Sequence, residues 1–239
     1  MALSRAFLNS QFDRKTATPI IINGDMQIAQ RGTSTTGITG SGYQTVDRFR
    51  LAVANMGTWT ATQETDAPDN TGLTESFKID CTTADASPAD ADLLQIQHRL
   101  EGQNLQVLEK GTSDAQAITL AFWVKSAKTG TYIVEFYDSD NTRQISQAYT
   151  ISSANTWEKK VMTFAGDTTG ALGNDNGNSL AIQWWLGAGS NSTSGTLSTS
   201  WSSVTSANRA VGQVNLADST DNNWYITGVQ QEVGTFDAN

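Results

Sequence analysis

The sequence predicts an all-β fold, a jelly-roll β-sandwich of about ten antiparallel strands preceded by an extended N-terminal arm. Three observations carry that expectation. Only 16% of the 239 residues are charged and 20 are glycine, while Ser, Thr and Asn crowd the chain, a composition that suits strands and turns better than helices. Apolar and polar residues alternate with period two in short runs, and clusters of Gly, Asn, Asp and Ser separate these runs. A helical period is found only around 103–110, and it lasts no more than two turns.

Residues 1–19 read as an arm: polar, closed by Thr18-Pro19, and carrying Arg5, Arg14 and Lys15 against Asp13 alone. The arm is therefore +2, which leaves −11 on the rest of a chain whose total is −9. Such an arm either reaches across to a neighbouring subunit or frays as an ordinary terminus.

Residues 20–239 read as one domain. Ile20-Ile21-Ile22 followed by the turn signal Asn23-Gly24-Asp25 suggests an outer strand that reverses. Strands are then expected at 46–53, 58–63, 76–81 and 93–100, each with one apolar face: Phe77, Ile79 and Cys81 in the third, Leu94, Ile96, His98 and Leu100 in the fourth. Further strands follow at 118–125, 131–137, 145–151, 157–164, 180–186 and 224–233. The last is expected to lie near the N-terminal strand. Two stretches break the rhythm, 167–178 and 188–208, both long and rich in small polar residues, as functional or poorly ordered loops are.

The chemical inventory excludes much. One histidine and one cysteine leave no material for a zinc centre, and hardly any for a Ser-His-Asp triad or Cys-His dyad. His98 and Cys81 both fall on inward faces and read as core residues. No catalytic residues are assigned, since the acids Asp66, Asp69, Asp85, Asp90, Asp92, Asp138, Asp140, Asp218 and Asp221 look like solvated turn residues. No cofactor is expected. A structural calcium ion remains compatible with the Asp- and Asn-rich loops, although no dedicated loop motif is present and no metal ligand is assigned. A net charge of −9 opposes nucleic-acid binding, and the absence of a long apolar run argues against a membrane span or a cleaved leader, so a soluble chain made in a cytoplasm is expected.

Seven tryptophans are the most informative residues. Trp123 and Trp157 sit among apolar neighbours and are expected in the core. Trp184 and Trp185 are adjacent in one strand and must point to opposite faces, so one of them needs a cover: a loop, a subunit or a ligand. Trp201 lies in a Ser/Thr/Gly loop, as an anchor or as a contact residue. Trp184, Trp185 and Trp201 are the candidate glycan-binding residues, because sugar rings stack on exposed indoles. The acidic net charge makes a neutral glycan the expected ligand.

The run Ile22-Asn23-Gly24-Asp25-Met26-Gln27-Ile28-Ala29-Gln30-Arg31-Gly32-Thr33-Ser34, with Gly42-Tyr43 and Asp47-Arg48-Phe49, resembles the opening of a family of bacteriophage virion structural proteins. The family is common in marine and cyanobacterial phages and is often labelled tail-fibre. The resemblance continues through 119–125, 130–132, 155–160 and 225–234, with a departure at Gln231, where the family more often carries an apolar residue. It implies a carbohydrate-binding-module-like jelly roll and a non-enzymatic structural protein of a tailed-phage virion: a capsid decoration, a short head fibre or a tail adaptor or fibre component. The alternative is a carbohydrate-binding module for host surface glycans. The implied partners are other virion structural proteins and further copies of the chain, a trimer ahead of other states, at the virion surface after assembly in the host cytoplasm. Asp47 or Arg48 is expected to make an ion pair that fixes the entry of the 30–32 loop.

Overall fold

The computed structural model describes residues 20–235; the arm expected at 1–19 lies outside them. Thirteen strands form two antiparallel sheets. They are β1 (Ser34–Ile38), β2 (Gly42–Tyr43), β3 (Phe49–Ala54), β4 (Thr58–Glu64), β5 (Ser76–Thr83), β6 (Leu93–Glu101), β7 (Ile118–Ser126), β8 (Gly130–Asp138), β9 (Arg143–Ile151), β10 (Glu158–Phe164), β11 (Asn178–Ala188), β12 (Ser202–Ser203) and β13 (Asn223–Val233). The first sheet has the order β1-β4-β5-β13-β7-β10 and the second β12-β9-β8-β11-β6-β3-β2. The chain crosses repeatedly between the layers, which is the jelly-roll habit.

Alternation builds the core. Trp59, Phe77, Ile79, Phe122, Val124, Trp224 and Ile226 of the first sheet face Phe49, Leu51, Ile96, Val134, Phe136, Ile182 and Trp184 of the second, and all are buried. Trp184 bridges the layers, 6.2 Å from the Phe49 ring beside it and 5.9 Å from Phe122 across from it in an edge-on contact. Each such side chain removed from water contributes about 1.5–3 kcal/mol before chain entropy is charged against it.

The ten strands expected between residues 46 and 233 are present. The three not expected, β1, β2 and β12, are all edge strands. An edge strand of two to five residues offers few side chains to the core, so no alternation is imposed on its sequence. The 103–110 period resolves into two 3-10 turns, Gly102–Asn104 and Gln106–Leu108.

Several expectations need correction. Residues 20–26 form bends and turns instead of an outer strand, with Asn23 and Met26 both at φ 61°. This segment packs on a bulge in β13 between Thr227 and Gln230, where the Val229 N–H donates to the Gly24 carbonyl at 2.9 Å. A Cβ on Gly24 would lie 2.1 Å from the Val229 carbonyl oxygen, so only glycine permits the approach. Asp47 does make the expected ion pair, with Arg31 at 2.7 Å. Asp138 is fully buried, not a solvated turn residue: Lys110 neutralises it at 2.5 Å, and the Asp140 and Asn141 N–H groups both donate to it at 3.0 Å.

Trp123 and Trp157 are not in the core. Leu120, Phe122 and Val124 take the inward positions of β7, so Trp123 must face outward. Trp157 joins it on the outer face of the first sheet, donating its indole N–H to Asp66 at 3.0 Å. Its ring centroid is 6.1 Å from that of Tyr225, and the Lys125 ammonium lies over both rings.

Candidate functional site

The outer face of the second sheet is unlike an ordinary solvated face. The strand register aligns Tyr43, Arg50, Gln97, Gln183, Glu135 and Ser146 in one row across six strands. A parallel row on one side reads Arg99, Ala181, Tyr137 and Gln144, and on the other Ala52, Gln95, Trp185, Ile133 and Ala148. Long hydrogen-bonding side chains thus stand beside Ala52 and Ala181, whose small size keeps the floor low between them. Gln95, Gln97 and Gln183 are nearly buried, whereas Tyr43 and Arg99 are exposed and Arg50 and Tyr137 half-buried.

The segment after β11 forms one wall. It opens with a single helical turn, Ser190–Thr193, contributes edge strand β12, and returns through a 3-10 turn, Ser206–Asn208. Arg209 clamps it to the sheet, its Nε and Nη2 donating to the two oxygens of Glu135 at 2.8 and 2.9 Å, with a further bond to Gln183 Oε1 at 3.0 Å. Its guanidinium lies over both the Tyr137 and Trp185 rings, 5.0 and 5.2 Å from their centroids. A small satellite core of Ile133, Trp185 and Ala210, with Leu93, Ala188 and Leu197 against it, seals this half of the face.

The other half stays open. Arg50 donates from Nη1 to Gln97 Oε1 at 2.9 Å, and Gln97 Nε2 to Gln95 Oε1 at 2.7 Å. Burial, and then the charge of Arg99 beside it, hold the Arg50 guanidinium below its ordinary value, and it remains a cation at neutral pH.

Of the residues expected to bind glycan, Trp184 lies between the sheets and Trp185 beneath the Arg209 wall, both fully buried, so neither presents a ring face. The cover that one of the pair required is this loop, and the Trp185 indole N–H is spent on Glu135 Oε2 at 3.0 Å. Trp201 is half-buried and packs on the main core; it donates to the Ala165 carbonyl at 2.7 Å and has the Lys110 ammonium 5.0 Å from its ring centroid. That is the geometry of an anchor for the loop. His98 is fully buried, its Nε2 3.1 Å from the Ile22 carbonyl, and burial lowers its pKa to about 4. Burial likewise raises the Cys81 thiol to about 11.

No group of three or more His, Cys, Asp or Glu side chains capable of holding a metal is found among the described residues. The cation that sits among acidic loops is Lys110, whose ammonium meets Asp138 Oδ2 at 2.5 Å, Asp167 Oδ2 at 3.0 Å and the Gly170 carbonyl at 2.9 Å. Arg143 also pairs with Asp167, at 2.6 Å, and keeps that carboxyl below its usual range against the opposing effect of burial.

Sequence reasoning passed over Tyr43, Arg50, Gln95, Gln97, Arg99 and Tyr137. A signal was present: in 93–100 the polar alternates are long amides and an arginine instead of the Thr and Ser common elsewhere in the chain. What it lacked was the register that aligns them with β3 and β11.

No protein-family model and no curated protein sequence matches the chain. Solved structures do. The enzymatically active domain of tailspike protein 4 from bacteriophage CBA120 is 13% identical with a TM-score of 0.44, over 90% of this chain and 21% of that one. This chain therefore spans about a fifth of that protein's length. A xylan-binding domain from Paenibacillus barcinonensis is 13% identical with a TM-score of 0.42, over 79% of this chain and 92% of that one. A family 11 carbohydrate-binding module from Clostridium thermocellum is 8% identical with a TM-score of 0.40, over 84% and 98%. All three TM-scores lie below 0.5, and the jelly-roll assignment rests on the strand order of this chain's own two sheets.

Proposed function

We propose that this chain is a non-enzymatic glycan-binding module whose site is the open half of the second sheet's outer face. The observation that carries the reading is the row Tyr43, Arg50, Gln97, Gln183, Glu135 and Ser146. Its open part is Tyr43, Arg50, Gln97 and Gln183, four long hydrogen-bonding groups on four strands beside a floor lowered by Ala52 and Ala181, while Glu135 and Ser146 lie beneath the Arg209 wall; such a surface meets several hydroxyls at once. Glu135 has both oxygens occupied by Arg209 and Trp185, so the row supplies contacts and lacks a free acid–base pair. Tyr43 and Tyr137 take the place of tryptophan as the partly exposed aromatic groups. The setting we propose is the surface of a tailed-phage virion, on the resemblance of 22–49, 119–125, 155–160 and 225–234 to phage structural proteins.

The test is a broad glycan array with the full chain, followed by titration of Gln97→Ala and Gln183→Ala. Binding is expected in the native chain and about tenfold weaker in each variant, the loss of a ligand hydrogen bond; because Gln97 also bonds Arg50 and Gln95, and Gln183 bonds Arg209, each titration is run well below the variant's own thermal midpoint. An array without binding by the intact protein overturns the proposal.

A further inference from the structure

The charge pattern of this face is at odds with the charge of the molecule. Among the described residues Arg31, Arg48, Arg143 and Arg209 each have a carboxylate partner, but Arg50 and Arg99 have none. These two are diagonal neighbours on β3 and β6, since Arg50 lies opposite Gln97 and Arg99 follows two residues on. The chain carries −9 overall, so acids were available to pair with them.

Hydrogen-bond polarity points the same way. Arginine only donates, so the Arg50 bond turns the Gln97 oxygen toward it, and Gln97 must then donate onward to Gln95. The NH2 of Gln95 is left as the donor end of that relay. Arg209 likewise engages the oxygen of Gln183 and leaves its NH2 as a donor. The carboxylates are engaged: both Glu135 oxygens serve Arg209 and Trp185, and Glu101, two residues along β6 from Arg99, faces Arg48 at 3.6 Å and accepts from Gln103 at 3.0 Å. The open half of the face is thus cationic and, in its guanidinium and amide groups, made of donors.

From this we infer that the site, if it binds glycan as proposed above, selects an acidic one, with an anionic group of the sugar, carboxylate or sulfate, seated against Arg50 and Arg99. A neutral sugar presents hydroxyls that donate as readily as they accept and leaves two guanidinium charges without a counter-charge. A carboxylate or sulfate accepts only and can take the fork of a guanidinium. The net charge of −9 slows the approach of any anion, yet a site is chosen by the charges within a Debye length, about 8 Å at physiological salt.

The experiment titrates the full chain with three probes: oligogalacturonate, the same oligomers after reduction of their carboxyl groups to neutral galactose units, and a sulfated galactan oligosaccharide. Arg50→Gln and Arg99→Gln are measured alongside, both at positions exposed enough to keep the fold. The acidic probes are expected to bind, the reduced oligomer at least about tenfold more weakly, and each arginine variant to lose about tenfold for the acidic probes alone. Tighter binding of the uronate identifies carboxylate as the preferred group, and tighter binding of the galactan identifies sulfate. Equal binding of acidic and reduced oligomers, or arginine variants indistinguishable from the native chain, overturns this inference and leaves the glycan-binding reading standing. No binding by any of these probes, together with an empty broad array, removes both.

Discussion

His98 is held neutral inside the sandwich, edge-on to Phe49 at 4.9 Å, and its pKa is depressed from 6.5 to about 4 chiefly by burial. The unfolded chain therefore binds a proton between those values that the folded chain refuses, so stability is full above pH 6.5 and falls as pH drops toward 4. The loss attributable to this one group is roughly 3 kcal/mol by pH 4. Urea unfolding measured from pH 7 to 4 should show it, and His98→Leu should remove that slope while leaving the losses below about pH 4, where Asp66, Asp167 and Asp218, all with lowered pKa values, begin to protonate. Trp184 belongs to the same scale. Its ring joins the two layers, and Trp184→Ala is expected to cost roughly 3–5 kcal/mol in the same assay, the range for emptying an aromatic site in a packed core.

The decisive element is the segment from Gly189 to Ala210. Its composition reads as a loose loop, yet it holds an ordered helical turn, an edge strand and the side chain that closes over Trp185. Arg209 at its end and Trp201 in its middle fix it by side chain, one to Glu135 and one to Ala165, and β12 fixes it by pairing with β9. Glu135→Ala leaves the Trp185 indole without its acceptor and Arg209 with Gln183 Oε1 in place of its carboxylate, and breaking so buried a pair costs on the order of 3 kcal/mol. The expected readout is a red-shifted tryptophan emission as Trp185 meets water, with protease cleavage confined to 189–210 and the ten long strands intact. Unchanged emission would show that the satellite core holds without its ion pair.

Taken whole, residues 20–235 supply the described core of the sandwich, and a role in assembly is what we propose for residues 1–19. Light scattering of the full chain at high micromolar concentration is expected to read a trimer, and deletion of residues 1–19 to yield a folded monomer. A folded trimer without the arm would move the contact to the sandwich, where Trp157, Tyr225 and Lys125 on the first sheet's outer face supply the aromatic surface. Loss of the fold with the arm would place Phe7, Leu8 or Phe12 in the core.

Period two alone determined the ten long strands, the inward faces of 76–81 and 93–100, and that Trp184 and Trp185 point to opposite faces with one of them in need of a cover, because a strand buried on one face must alternate. The same local rule, followed strictly, puts Trp123 outside, where apolar neighbours had suggested the core. Edge strands, the turn at residues 20–26 and the burial of Asp138 were decided by tertiary contact: a partner strand for β1, β2 and β12, the β13 bulge for Gly24, and Lys110 for Asp138. The candidate site belongs to that second class. Tyr43, Arg50, Gln97, Gln183 and Glu135 are scattered over 140 residues of chain and become a surface only through register, a property of strand pairs that no single strand's sequence contains.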